Sequence, residues 1–193
     1  MKNNKPKFKQ IIDAAVTVIA ENGYHASKVS KIAAQAGVAD GTIYLYFKNK
    51  EDILVSLFQE KMGQFIEKTE QQIDLKQNAE EKMKTLIHMH FSQLSDDHDL
   101  AIVTQLELRQ SNKELRLMIN EVLKRYLSII DRIVEEGIAE GSFDPKLNIR
   151  LVRHMIFGTL DETVTNWVMK EQKYKLADQV NEVHKLIIKG LSR

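Results

Sequence analysis

Cysteine is absent from the 193-residue chain, which excludes disulfides, thiol catalysis and thiolate-held metal. Proline occurs twice, at Pro6 and Pro145, and glycine eight times. With so few breakers, and no sustained alternation of β-branched residues, long helices are expected and a sheet is not. No apolar run approaches the ~18 residues of a membrane span. No apolar core follows MKNNKPKFKQ as it would in a signal peptide. The cytoplasm is the expected location. Aromatic residues make up only 7%, too few for the aromatic cage of a cationic-drug sensor to stand out. Ser-His-Asp signatures, Gly-rich nucleotide loops and metal-ligand spacings are also missing. His88 and His90 lie two apart, on different helix faces, and the other histidines are scattered. Neither an enzyme nor a metal site is expected, and no catalytic residue or cofactor is assigned.

What is present is an uneven charge. Net charge is +1, yet residues 1–50 hold eight lysines against three acids. A basic head on an acidic body fits a polyanion-binding domain joined to something else. The apolar spacing predicts a helix from Pro6, with Phe8, Ile11, Ile12, Ala15 and Ile19 inward, stopped at Asn22-Gly23. A short second helix is expected with Ser27 as N-cap, ended by Gly37. A third is expected from Gly41 to Phe47, capped by Asp40, and a long fourth capped by Asn49. Further helices are expected at about 79–94, 98–109, 112–139, 146–169 and 176–190, roughly nine in all.

Two short helices joined by Ala36-Gly37-Val38-Ala39 make a helix-turn-helix. Its second helix must be slim and exposed to enter a major groove. Ile43 and Phe47 share a face and anchor that helix. Thr42 and Tyr46 share the opposite face, with Tyr44 on the flank. Lys48 and Lys50 follow at the start of the fourth helix, where free backbone N–H groups also favour a phosphate.

The run from Asn22 to Leu54, with Gly23-Tyr24, I-A-x-x-A-G-V at 32–38, G-T-I-Y-x-Y-F at 41–47 and Asn49-Lys50-Glu51, resembles the DNA-binding domain of TetR-family regulators. The resemblance implies an all-α chain: a three-helix helix-turn-helix domain at 1–50 and a helical ligand-binding and dimerisation domain at 51–193. It implies contacts to double-stranded operator DNA from Ser30, Lys31, Gly41, Thr42, Tyr44, Tyr46 and Lys50, with Lys5, Lys7 or Lys9 adding an arm contact. Tyr44 and Tyr46 could instead cover the small core. A homodimer is expected through the last two helices, where Gly158 and Thr159 permit close approach.

Residues 100–119 and 155–169 are similar to segments of fatty-acid-degradation repressors of this family in Gram-positive bacteria. That likeness implies release from DNA by long-chain acyl-coenzyme A. An acyl chain needs an apolar tunnel, for which Phe91, Leu94, Ile102, Leu106, Leu108, Val122, Met155, Phe157 and Trp167 are candidates. The bland reading of these residues is ordinary core. Arg109, Lys113 and Arg116, at i, i+4 and i+7, are candidates for the coenzyme phosphates, provided Asn112 does not break the helix. Asp161 and Glu162, in an otherwise apolar helix, read as polar contacts at a dimer interface, the alternative being buried partners of Arg109 or of a ligand. A repressor answering to another hydrophobic ligand, a drug or cationic dye, is the alternative.

Overall fold

The computed structural model describes residues 6–192, and every regular element among them is helical. Nine α-helices run α1 (Pro6–Asn22), α2 (Val29–Gln35), α3 (Asp40–Ile43), α4 (Lys50–Ile73), α5 (Ala79–Asp96), α6 (His98–Glu107), α7 (Lys113–Glu140), α8 (Ile149–Met169) and α9 (Val180–Leu191). A single 3-10 turn, Leu176–Gln179, leads into α9. Lys5 lies outside the described residues.

Asparagines set four of these starts. Asn49, Asn78, Asn112 and Asn148 precede α4, α5, α7 and α8, and each side-chain oxygen accepts from the backbone N–H three residues on, at 2.8–3.1 Å. Each bond satisfies a donor that the first helical turn leaves unpaired. At α4 the Asp52 carboxylate also reaches back and accepts from the amide of Lys48, one residue before the cap, at 2.9 Å.

Packing divides the chain into two compact units, and the division differs from a cut at residue 50. The first comprises the residues up to Gly63 together with Asp99–Val122; the second comprises Gln64–His98 and Leu123–Arg193. Both α4 and α7 contribute residues to each unit.

The core of the first unit is built on α1, whose expected stripe is buried throughout. Ile32 and Ala33 of α2, then Ile43, Phe47, Ile53, Leu54, Leu57 and Phe58, close over it. In the second unit, Lys82 of α5 pairs with Glu136 of α7 at 2.6 Å, and Glu140 accepts from the Ala79 amide at 3.0 Å. Arg153 of α8 pairs with Asp131 of α7 at 2.6 Å. A Cβ on Gly137 would lie 2.2 Å from the Phe143 ring, so only glycine lets that ring lie flat on α7.

Candidate nucleic-acid interface and interior site

The turn between α2 and α3 is a Schellman motif. The Val38 amide donates to the Ala33 carbonyl at 3.0 Å and the Gly37 amide to Ala34 at 3.1 Å, with Gly37 at φ +62°. A residue with a Cβ is strained in that conformation, so glycine fits the turn. The Gln10 side-chain amide of α1 donates to the Ala36 carbonyl at 2.8 Å and fixes the end of α2. Phe8 of α1 stacks on Phe47 at 5.2 Å between ring centroids. These contacts hold the short α3 against the domain core with its outer side clear.

Three local expectations are corrected. Ser27 is not the cap of α2; that position is Lys28, which makes no side-chain cap bond. The Ser27 hydroxyl is buried and donates to the Gly23 and Val18 carbonyls, closing the α1–α2 turn instead. Asp40 does not cap α3 but is its first residue, and α3 ends at Ile43 rather than Phe47. Beyond Ile43 the chain continues as turns, in which Leu45 donates to Thr42 and Tyr46 and Phe47 donate to Ile43. Thr42 and Tyr46 therefore do not share one exposed helical face.

Ile43 and Phe47 are buried, as the anchoring role requires. Thr42 and Tyr46 are half-buried, while Tyr44 and Leu45 stand out most, Leu45 at 69% exposure. Leu45 was not assigned from sequence, since an apolar residue there reads as core until the turn geometry is known. Gly41, Ser30, Lys31 and Lys48 are exposed. The Lys31 amine donates to Asn22 at 3.2 Å. The Lys50 amine donates to the His25 carbonyl at 2.9 Å and lies 4.6 Å from the centre of the Tyr24 ring. The start of α4 is not an open phosphate cradle. Asn49 and Asp52 occupy two of the amides there, and Glu51 and Asp52 bring negative charge to the first turn. A small head whose shortest helix is anchored inward and ringed by lysines is the build of a helix-turn-helix DNA-binding regulator.

The residues expected to hold a ligand fall into both units. In the first, Leu106 is exposed and Leu108 half-buried. Arg109, Lys113 and Arg116 do not form a helix face. Asn112 starts a new helix at Lys113, which leaves Arg109 in the preceding loop. Arg116 donates to the Gln110 and Ser111 carbonyls at 2.8 and 3.2 Å, tying down that loop. Lys113 and Arg109 are exposed.

In the second unit, Phe91 is buried, Phe157 half-buried and Met155 exposed. Trp167 is buried, its indole N–H donating to the Tyr174 carbonyl at 2.7 Å and His98 lying edge-on to it.

The sequence did not single out the polar centre of this unit. His90 of α5 is 5% exposed, and its Nδ1 lies 2.7 Å from the Tyr126 hydroxyl of α7. Phe65 of α4 meets the His90 ring edge-on at 5.7 Å, and Phe157 of α8 packs 6.2 Å from Tyr126. Burial drives the His90 pKa down to about 3, so the ring is neutral. Burial, and then the Asp161 carboxylate, raise that of Tyr126. Asp161 is buried on α8 and its charge bears on Tyr126, while its neighbour Glu162 is exposed. No cluster of metal-ligating side chains occurs among the described residues, and no helix is long and apolar enough to cross a membrane.

Comparison with known proteins agrees with this build. Residues 11–57 match the family model for bacterial regulatory proteins of the tetR family, and residues 58–190 match that for the YsiA-like protein C-terminal region. The fatty acid metabolism regulator protein of Bacillus subtilis is 65% identical over 191 residues, spanning 99% of this chain and 98% of its own. Among solved structures, the transcriptional regulator FadR of Bacillus subtilis in complex with stearoyl-CoA aligns with a TM-score of 0.92 at 65% identity. The fatty acid degradation regulator FadR of Bacillus halodurans aligns with 0.92 at 63%. Each alignment covers 95% of this chain and 99% of the other. The chain belongs to the TetR family of bacterial regulatory proteins. It is a DNA-binding transcription regulator and not an enzyme.

Proposed function

We propose that this chain represses fatty-acid-degradation genes by binding their operators as a homodimer, and that long-chain acyl-CoA releases it. The observation that carries the reading is 65% identity over almost the whole length of the Bacillus subtilis fatty acid metabolism regulator, a relative whose structure was solved with stearoyl-CoA bound.

The DNA contacts are assigned to Ser30, Lys31, Gly41, Thr42, Tyr44, Tyr46 and Lys48, with Leu45 added for its exposure; it offers an apolar contact to a thymine methyl. Lys50 acts partly through the His25 carbonyl it holds. The acyl chain is assigned to the apolar interior of the second unit beside Phe91 and Phe157. Dimerisation is assigned to α8 and α9, where Leu151, Met155 and Leu186 are exposed and the tip of Met155 lies 4.0 Å from where a Cβ on Gly190 would be. Exposed apolar side chains grouped in this way mark an association surface, and a two-fold dimer reads two half-sites one helical turn apart.

Ligand and operator then weaken each other by one factor; tenfold release needs a coupling of only ~1.4 kcal/mol. The α4 helix, which begins at the head and contributes to both units, is the assigned carrier of that coupling.

The test is fluorescence anisotropy on a duplex that the protein itself selects from a random library. Micromolar stearoyl-CoA should release it, and coenzyme A alone should not. Release by a cationic dye with stearoyl-CoA inert would replace this reading with that of a drug sensor. A Leu151→Glu chain that stays dimeric in sedimentation would remove the assigned interface.

A further inference from the structure

His90 Nε2 is a buried polar atom with no hydrogen-bond partner among the described residues. An imidazole in this position has one nitrogen fixed by the other's bond. Burial keeps the Tyr126 phenol protonated, and in the tautomer whose Nδ1 carries the lone pair its O–H donates to Nδ1 across 2.7 Å. The imidazole proton then sits on Nε2, as a donor with nothing to donate to. Leaving such a donor unsatisfied in an apolar interior is unfavourable, and a ligand acceptor would relieve it. Every other feature of the site keeps the ring in this form. Phe65 and Phe91 face it edge-on at 5.7 and 6.0 Å. Burial keeps it uncharged, and burial, then the Asp161 carboxylate, keep Tyr126 protonated.

We infer that His90 Nε2–H is the docking point for the thioester carbonyl of the acyl-CoA, inside the second unit where α4, α5, α7 and α8 converge. The inference rests on the acyl-CoA reading above and deepens it. A thioester carbonyl is a good acceptor placed between a flexible pantetheine arm and a long apolar chain. A single donor surrounded by aromatic rings suits both parts: it fixes the carbonyl, and the rings pack on the chain. The site also explains how binding would drive a conformational change. His90, Tyr126, Phe65 and Phe157 sit on four different helices, with the Tyr126 ring against the other three. Seating a carbonyl on Nε2 requires those helices to part. The bond is therefore formed only in the parted state, which gives the ligand the differential affinity that a population shift needs.

The experiment compares stearoyl-CoA with the S-octadecyl-CoA thioether, which keeps chain and coenzyme but lacks the carbonyl. With the native protein, the thioether should need about tenfold more ligand for half-release of operator DNA, the loss of one buried hydrogen bond. With His90→Phe, which keeps an aromatic ring in place, the two ligands should become equivalent in the concentration needed for half-release of operator DNA. In native protein labelled with nitrogen-15 histidine, stearoyl-CoA should shift the His90 Nε2 resonance. Equal potency of the two ligands on the native protein, or persistent discrimination by His90→Phe, overturns this assignment and leaves the acyl-CoA reading intact. Release by neither ligand overturns both.

Discussion

Glu107, the last residue of α6, accepts a hydrogen bond from the Tyr24 amide across 2.8 Å. Its second carboxylate oxygen accepts from Gln110 at 2.7 Å. The end of α6 is thus tied to the turn that joins α1 to α2, inside the first unit. The same turn carries Ser27 and receives Lys50 through the His25 carbonyl. Burial first, then the Glu51 and Glu107 carboxylates, push the Tyr24 hydroxyl pKa up to about 12.

Glu107→Ala removes a charged acceptor from a half-buried amide. It should cost about 1–2 kcal/mol of stability and speed hydrogen exchange at the Tyr24 amide. Operator affinity should fall with it, because the turn that positions α2 loosens. Glu107→Gln keeps an oxygen toward Tyr24 and should lose less than half as much. Unchanged exchange at Tyr24 in the alanine variant would mean the contact does not order the turn.

On the head, Thr42→Ala and Tyr44→Ala should lower specific binding more than non-specific binding, each by about 1–3 kcal/mol if a base edge is lost. Lys48→Ala should weaken both together and reduce the salt slope by about one phosphate contact. Anisotropy titrations over a salt series separate the two patterns. Lys50→Ala should behave differently from Lys48→Ala and lower the melting temperature as well, since it deletes the bond to His25.

Gly137→Ala places a methyl in the Phe143 ring. Overpacking of this kind costs about 1–3 kcal/mol, so thermal unfolding should occur several degrees lower. Gly137→Ala combined with Phe143→Leu should recover part of the loss. Gly63→Ala has open space around its Cβ position and should be neutral or slightly stabilising, because alanine is the better helix former.

His90 gives stability a pH dependence of known sign. Folded, it titrates near 3; unfolded, near 6.5. Between those values the unfolded chain binds a proton that the folded chain refuses. Stability is full above about pH 6.5 and falls on acidification, at up to about 1.4 kcal/mol per pH unit. Chemical denaturation between pH 6.5 and 4.5 should show this slope, and His90→Phe should flatten it. A variant with the native slope would assign the acid sensitivity to another group.

Helix type and order were legible because proline and glycine are rare and the apolar stripes are long. The cap residues Asn49, Asn78 and Asn112 lay at expected breaks, since an asparagine oxygen meets the third amide with local geometry alone. The reading motif was legible for the same reason: Gly37 is fixed by its immediate neighbours, and Ile43 and Phe47 share a face at local spacing. Local pattern failed where a residue's partner was remote. Ser27 has cap chemistry, but its oxygen bonds to α1 carbonyls. Arg109 is a different case: the local Asn112 cap, a break the sequence already allowed for, separates it from Arg116.

By itself, the sequence determined an all-helical chain with a basic, paired-helix head, because periodicity, capping and charge are properties of short segments. Only the tertiary structure decided that His90, Tyr126 and Asp161, taken from three separate helices, are buried in one unit, and that Leu45 and Tyr44 rather than Tyr46 stand outermost. A histidine or an aspartate in a helical pattern carries no mark of its burial. Its environment is made by side chains dozens of positions away, and it is desolvation by those neighbours that fixes its protonation and leaves Nε2 without a partner.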